Sequence, residues 1–355
     1  MIIYNFDDEV KYPLSNRDGI YGGNGGNKDG ILIDGEYWFI KYPKTTRGMS
    51  KKAQELGYTT APLSEYIGSH IYQILGFDVH DTLLGIKRGK TVVACKDFCV
   101  IRGGLSEIRT IKNAYNSERS EELAAQNESK SGDRVNLPEL MLHLEENRQL
   151  RNVPGLKEHF WDMVIVDILI DNNDRNNGNW GLVFNGEVYK IAPVYDNGNA
   201  FLNKTSDEKI RQHLSDSNNL EKVILGSAMT AYDFDGHMLN SQNLLQMDYS
   251  ELKEAILRNI PNIGKYLEKM LEMVDEIPET YAGNLICSSE RKEFYKAGLI
   301  LRYEKILLPA YERLIDKRQE QCIGFEDARL EERAAQRIEL GKRILHSDKE
   351  AFECP

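Results

Sequence analysis

Asp174, Asn179 and Asp196 have the residue types and the spacing of a phosphoryl-transfer site. Asn179 lies five positions after Asp174 in an asparagine-rich run, and Asp196 follows a short predicted hairpin. In phosphotransferases one carboxylate orients the attacking hydroxyl, while an amide and a second carboxylate hold magnesium. Asparagine and aspartate in loops are usually only turn formers. Here the spacing and the flanking strands occur together, so we predict a kinase with Asp174 as catalytic residue and Asn179 and Asp196 as metal ligands.

An apolar helix is predicted directly before this motif. Its apolar positions Phe160, Val164, Ile168 and Leu169 recur at helical spacing, so we expect a buried helix. The run of asparagine and aspartate that follows favours a loop. Catalytic groups commonly lie on loops that a rigid scaffold holds in place.

A glycine-rich turn near the N-terminus is a candidate phosphate-binding loop. Glycine allows backbone N–H groups to approach phosphate oxygens without obstruction by side chains. The turn has neither a Walker sequence nor a GxGxxG pattern, so taken alone it also fits a plain hairpin. The residues assigned to nucleotide binding are Gly22, Gly23, Asn24, Gly25, Gly26, Asn27 and Lys28.

Five further residues complete the predicted nucleotide site. Lys41 ends a predicted strand, where its point charge can neutralise phosphates. Glu65, near the start of the next predicted helix, can pair with that lysine as in protein kinases. A solvated lysine and a carboxylate favoured by the helix dipole are the plain alternatives. An apolar strand then runs into Lys96, Asp97 and Phe98, where we predict the adenine-binding hinge.

The order of predicted elements indicates an α+β fold with two lobes. Strands at Ile31–Ile33 and Tyr37–Ile40 flank an Asp-Gly turn, and a helix at Leu63–Leu75 precedes strands at Thr82–Lys87 and Thr91–Phe98. Strands at 181–184 and 188–191 follow the catalytic motif, and helices are expected near 137–147, 157–170, 250–258, 262–275 and 288–318. We predict an N-lobe at 1–101, a helical C-lobe at 102–320 and a charged helix or tail at 321–355.

Two polar segments stand apart from these elements. Residues 115–134 are rich in serine, glutamate, asparagine and lysine, and we interpret them as an exposed or mobile insertion. Residues 325–347 carry dense mixed charge with a sparse apolar stripe. They are expected to form a surface or tail helix, with a partner-binding helix as the alternative.

Composition restricts the partners and the compartment. The chain has 355 residues, 41% of them hydrophobic, and a net charge of −11, which argues against nucleic acid or an anionic membrane as partner. We find neither a membrane span nor a signal peptide, so a cytoplasmic location is expected, with export or delivery to a host by another route left open. The five cysteines are scattered and are expected to be reduced thiols.

The motifs together resemble those of the HipA-like serine/threonine kinases, most closely the bacterial cell-translocating kinase A (CtkA) branch. The matching segments are residues 22–28, 37–43, 63–76, 92–98, 160–181 and 191–197. The resemblance implies a two-lobed protein-kinase-like fold and a kinase that uses ATP and Mg²⁺ on a protein hydroxyl and also phosphorylates itself. It carries over Lys41 for the phosphates, Glu65 as its partner, Asp174 as catalytic residue, and Asn179 with Asp196 for the metal.

Three departures from this family pattern affect the expectations. The chain begins almost directly at the nucleotide loop and lacks the N-terminal module of full-length HipA toxins, so an antitoxin partner is in doubt. The glycine-rich loop contains no serine or threonine, so inhibitory autophosphorylation within it is not carried over. Asn176 stands where a histidine is common, which leaves the bracing of the catalytic loop open.

Two other functions fit part of this pattern. The run from Asp174 to Trp180 also resembles type II phosphatidylinositol 4-kinases, but those lipid kinases need membrane attachment, and this acidic chain has no cysteine cluster for it. A pseudokinase scaffold would have no need for Asp174 together with both metal ligands. The sequence therefore favours a protein kinase.

Overall fold

The computed structural model describes residues 1–17, 28–49, 57–129, 134–226 and 228–318. Residues 1–308 form one compact unit, and residues 309–355 form a second, whose described part, 309–318, is helical. The predicted phosphate-loop residues Gly22 to Asn27 and the predicted C-terminal segment at 321–355 lie outside the described residues. None of the described helices is both long and apolar enough to cross a membrane.

The N-terminal region is a five-stranded sheet in the order β1-β4-β5-β3-β2. β1 runs parallel to β4, and the other neighbours are antiparallel. Asp34 and Gly35 both have positive φ in the turn between β2 and β3, as tight hairpin turns require, so the predicted hairpin is confirmed. The strands are β1 Tyr4–Asn5, β2 Lys28–Ile33, β3 Glu36–Lys41, β4 Thr82–Lys87 and β5 Lys90–Lys96.

One long helix, α1 (Ala61–Ile74), packs against β4 and β5 of this sheet. Pro62 lies in its first turn, where the missing N–H costs no helical hydrogen bond. Gly76 adopts a positive φ just after its end. Ile67 and Ile71 are buried, in agreement with the predicted apolar stripe. The helix predicted at Leu63–Leu75 is therefore confirmed.

The described part of the rest of the first unit is mainly helical and contains three small sheets. The helices are α2 Cys99–Arg102, α3 Ile108–Arg119, α4 Glu121–Ala124, α5 Leu137–Glu146, α6 Arg148–Arg151, α7 Leu156–Ile170, α8 Asp207–Leu214, α9 Ser217–Gly226, α10 Ser241–Leu244, α11 Ser250–Asp275 and α12 Ser289–Arg302, followed by a π-helical turn at Tyr303–Leu307. The strands are β6 Gly104–Glu107, β7 Val135–Asn136, β8 Gly181–Phe184, β9 Tyr189–Ile191, β10 Met229–Phe234, β11 His237–Asn240, β12 Thr280–Tyr281 and β13 Asn284–Leu285.

Helix α7 packs against several other helices and leads into the loop of Asp174 and Asn179, the predicted catalytic loop. Nearly all of its side chains from Phe160 to Ile170 are buried, as in a helix surrounded by protein on every side. Asp167 is the one carboxylate among these buried residues. Asp171 ends the helix in the left-handed conformation, which turns the chain into the loop.

One prediction about the helical region is wrong, and another holds only in part. Two separate helices were predicted near 250–258 and 262–275. Instead α11 continues through Pro261, since Ile260 and Ile263 are buried and hold both halves in line. The insertion at 115–134, expected to be exposed or mobile, is exposed over residues 117–123, but Glu128 contacts Asn177 in the predicted catalytic loop.

Candidate active site

A half-buried lysine joins the sheet, the first helix and the segment of Asp196, the predicted metal-binding motif. Lys41 ends β3, and its Nζ lies 3.0 Å from Glu65 Oε2 on α1 and 2.7 Å from Asp196 Oδ1. Glu65 is buried, whereas the Asp196 side chain is 45% exposed. Three predicted site residues that are far apart in sequence therefore meet at one point.

The three groups hold one another in their charged forms. Burial alone would lower the pKa of Lys41, but the carboxylates of Asp196 and Glu65 raise that pKa well above its ordinary value. Burial would raise the pKa of Glu65, but the ammonium of Lys41 brings it below its usual range. The pKa of Asp196 is lowered in the same way, since Lys41 outweighs the effect of burial. The cluster is one cation between two anions.

The catalytic motif forms a short loop in which Asp174 and Asn179 are adjacent. The Asn179 side-chain amide donates to the backbone carbonyl of Asp174. Asn176 Nδ2 donates to Asp174 Oδ1 at 3.2 Å. Burial raises the pKa of Asp174, the Asn176 hydrogen bond lowers it, and the negative charge of Asp196 raises it further. A carboxylate with a raised pKa is better suited to accept a proton than an ordinary one.

Arg175, which the sequence analysis did not single out, connects the loop to its surroundings. Its buried guanidinium donates from Nε to Asp167 Oδ2 at 2.8 Å and from Nη1 to the Asn179 carbonyl at 2.9 Å. It also donates to the Tyr195 carbonyl and to Asn197 Oδ1, on either side of Asp196. Asp167 was the available signal, because a carboxylate in an apolar helix needs a buried cation.

Two glycines allow α1 to lie directly against the metal-binding motif. A Cβ on Gly68 would come within 2.8 Å of Asn197 Cβ. A Cβ on Gly198 would come within 3.0 Å of Glu65 Oε2. The last residue of the predicted Asp-Asn-Gly sequence, Gly198, must therefore be a glycine to lie this close to Glu65, the partner of Lys41.

The predicted nucleotide residues divide between two faces of the sheet. Lys28 lies opposite Lys41 in the β2–β3 pairing, with its ammonium 5.4 Å from the Phe39 ring centre. Burial, aided by Lys41, lowers the pKa of Lys28. Lys96 lies opposite Trp38 and pairs with Glu36 at 2.7 Å, so its side chain does not join the Lys41 cluster.

The predicted hinge residues contact neighbours at the edge of the site. Asp97 Oδ2 lies 3.1 Å from an Nη atom of Arg17, and Asp97 Oδ1 accepts from the Cys99 N–H at 3.0 Å. The Phe98 ring lies 6.0 Å from the ring of Tyr195, next to Asp196. The predicted hinge segment therefore contacts, through Phe98 and Tyr195, the segment that contains Asp196.

Comparisons with known proteins give one family. No family model matches the chain. The serine/threonine-protein kinase CtkA of Helicobacter pylori is 31% identical over 307 residues, which cover 83% of this chain and 85% of that protein. The crystal structure of a Helicobacter pylori proinflammatory kinase CtkA matches with a TM-score of 0.72 and 28% identity, covering 88% of this chain and 98% of that one. A structure of the Shewanella oneidensis HipA, HipB and operator DNA complex gives a TM-score of 0.48 and 12% identity, covering 88% and 71% of the two chains. On the strength of the CtkA matches, the chain belongs to the CtkA family of serine/threonine-protein kinases.

Proposed function

We propose that this serine/threonine kinase uses magnesium-ATP and phosphorylates a protein hydroxyl, with Asp174 as its catalytic residue. The predicted family and enzyme class are confirmed by the likeness to CtkA. The observation that carries the finer proposal is the meeting of Lys41, Glu65 and Asp196 beside the loop of Asp174 and Asn179. A cation, an oxygen-ligand pair and a proton acceptor are the parts that phosphoryl transfer needs.

The donor set suits a hard divalent cation. Asp196 offers a carboxylate and Asn179 an amide oxygen, and oxygen ligands of this kind are those that Mg²⁺ prefers. The Asp196 side chain is partly exposed, so it can be reached from solvent. When bound there, magnesium would neutralise phosphate charge. These two residues are proposed to hold it.

The remaining side chains act on the nucleotide and on the acceptor. Lys41 is proposed to neutralise the phosphates, and Glu65 to hold its ammonium in place. Lys28, the loop from Gly22 to Asn27 and the backbone around Lys96, Asp97 and Phe98 are proposed nucleotide contacts. During transfer the acceptor hydroxyl oxygen bonds to the γ-phosphorus, the bond from that phosphorus to ADP breaks, and Asp174 accepts the hydroxyl proton.

The substitution Asp174→Asn tests this assignment because it keeps the shape of the side chain and removes the proton acceptor. We expect transfer of labelled phosphate from ATP to general protein substrates to fall on the order of 100-fold or more. Asn173→Ala, an exposed neighbour bonded to Asn199, serves as the control and should retain activity. Undiminished transfer by folded Asp174→Asn protein would refute the assignment. Mass spectrometry of the same reaction tests the predicted autophosphorylation.

A further inference from the structure

His80 lies where the sheet meets the segment that leads to Asp196. Its backbone N–H donates to the Val194 carbonyl at 3.1 Å, and Val79 forms a parallel bridge with the same valine. The side chain is buried between α1 and the start of β4. The backbone of His80 is therefore bonded to the segment before Asp196, while its imidazole ring contacts residues of α1.

The imidazole contacts the carboxylate oxygen that Lys41 leaves available. His80 Nε2 lies 3.0 Å from Glu65 Oε1, while Lys41 pairs with the other oxygen, Oε2. Because Lys41 pairs with Glu65 as a carboxylate, Glu65 can only accept hydrogen bonds. Glu65 Oε1 is buried and accepts no well-directed hydrogen bond from the described residues. His80 Nε2, 3.0 Å away, is a ring nitrogen that can supply one after a small rotation.

The contact continues as a chain of polar groups to the catalytic loop. His80 Nε2 also lies 3.2 Å from Ser69 Oγ, so Ser69 and Glu65 are alternative acceptors for one N–H; Ser69 Oγ itself accepts from Asn197 Nδ2 at 3.0 Å. Asn197 Oδ1 in turn accepts from Arg175, the residue that holds the catalytic loop. All four side chains are buried. Buried groups paired in this way restrict one another because an unpaired member is costly.

The surroundings of His80 also resemble a metal site, but the charges favour a hydrogen bond. The ligand atoms of Glu65, His80 and Cys95 lie within 4.8 Å of one another. The ammonium of Lys41 is 3.0 Å from the same carboxylate and would repel a cation. Burial raises the pKa of the Cys95 thiol, which keeps it protonated and a poor ligand.

We propose that His80 is a positioning residue of the kinase. It holds the Glu65 carboxylate in the orientation that pairs with Lys41, and Ser69 and Asn197 connect that orientation to Arg175 and the catalytic loop. The inference rests on the proposed role of Lys41 in binding phosphates. It follows that one buried network determines the positions of both Lys41 and the loop of Asp174 and Asn179.

The substitution His80→Phe removes the donor and keeps a ring of similar size. We expect a rise in the KM for ATP of roughly 10-fold, the size expected for a lost hydrogen bond to a charged group, with a smaller change in kcat. His80→Gln, which retains an N–H of similar reach, should restore most of the affinity. His70→Phe is the matched control, since His70 packs between the same helix and Thr82 but contacts the Tyr66 carbonyl.

A double-mutant cycle with Glu65→Gln separates positioning from a general structural effect. If His80 acts through Glu65, His80→Phe should change the KM by less than about 2-fold in the Glu65→Gln background. An equal rise in both backgrounds, or no rise in the wild type, would overturn the inference. If His80→Phe does not fold, His80→Asn, whose amide is shorter, takes its place in the cycle.

The Asp174→Asn variant keeps this test independent of the proposed function. Retained transfer by Asp174→Asn would count against the function itself. Lost transfer by Asp174→Asn together with wild-type affinity in His80→Phe would count against the role of His80 alone. Thermal denaturation of each variant shows whether an affinity change comes from loss of fold.

Discussion

At the scale of single residues, Asn176 and Arg175 brace the catalytic loop from opposite sides. Asn176 Nδ2 donates to the Asp174 carboxylate, and its Oδ1 accepts from the Gly178 N–H at 2.9 Å. Arg175 holds the inner side through the carbonyls of Asn179 and Tyr195. The departure from the common histidine at position 176 therefore leaves the loop supported, with an amide in that role.

The sequence could show this bracing only in part. Asp174 and Asn179 are predictable because they lie close together at a recognisable spacing, and Asp167 in its apolar helix indicates a buried cation nearby. Tyr195 lies 20 positions from Arg175, so no local pattern contains that contact. Spacing identifies the candidate site residues, while contacts between distant segments decide which residues hold them.

Asn176→Ala is predicted to change the pH dependence of the reaction. Asp174 must be ionised to accept a proton, and the Asn176 N–H favours the ionised form and so lowers the pKa of Asp174. Removal of the amide should raise that pKa further. The acidic limb of the kcat profile should then shift to higher pH, so that activity is lost at a pH where the wild type is still active.

The measurement is kcat against pH at saturating ATP for wild type, Asn176→Ala and Asn173→Ala. Asn173 lies in the same loop but its side chain contacts Asn199, so its profile should match the wild type. An acidic limb of Asn176→Ala that stays in place or moves to lower pH would contradict the role given to the amide.

At the scale of elements, the segment after α4 is the main surprise. Glu128 Oε1 accepts from Asn177 Nδ2 in the catalytic loop at 2.7 Å and from Lys112 Nζ on α3 at 2.7 Å. Its backbone exchanges hydrogen bonds with the Asn113 side chain. The polar composition predicted an exposed insertion, but buried Lys112 needs a carboxylate and draws this segment onto the loop.

Other elements were predictable because their signals are local. The hairpin turn at Asp34 and Gly35 and the helix ended by Gly76 were identified from turn chemistry and apolar spacing. The helix through Pro261 was missed because buried residues on both sides outweigh the local cost of proline. Local preference sets an element unless packing from distant parts of the chain overrides it.

Glu128→Ala is predicted to loosen the catalytic loop. It removes a carboxylate from both Asn177 and Lys112, and a charged hydrogen bond of this kind contributes about 1–3 kcal/mol. We expect kcat to fall roughly 10-fold and the unfolding midpoint in urea to decrease. Glu128→Gln keeps an acceptor for Asn177, so its kcat should fall less.

Glu122→Ala provides the control for this prediction. Glu122 is an exposed carboxylate on neighbouring α4, so its removal changes the net charge equally without touching the loop. Equal kcat values for the Glu128 and Glu122 variants would show that the contact with Asn177 does not support the loop.

At the scale of the whole molecule, the catalytic loop is held by elements from most of the first unit. Lys41 and Glu65 come from the N-terminal region, Glu128 follows α4, and Arg302 ends α12. Arg302 Nη2 lies 2.9 Å from Asp171 Oδ2 at the start of the loop, and both side chains are 2% exposed. This ion pair connects α12 to the start of the predicted catalytic loop.

Arg302→Met is predicted to destabilise the fold because it removes the cation that pairs with the buried Asp171 carboxylate. Breaking a buried ion pair in this way costs about 3–5 kcal/mol of unfolding free energy. Lys296→Met on the same helix is the matched control, since Lys296 pairs with Asp275 near the surface and such pairs contribute about 1 kcal/mol or less. The double variant Asp171→Asn with Arg302→Met removes both charges and should lose less stability than the two single losses added together. The measurement is urea unfolding of the wild type, the three single variants and the double variant. Equal midpoints for Arg302→Met and Lys296→Met would mean that this ion pair does not hold α12 to the loop of Asp174.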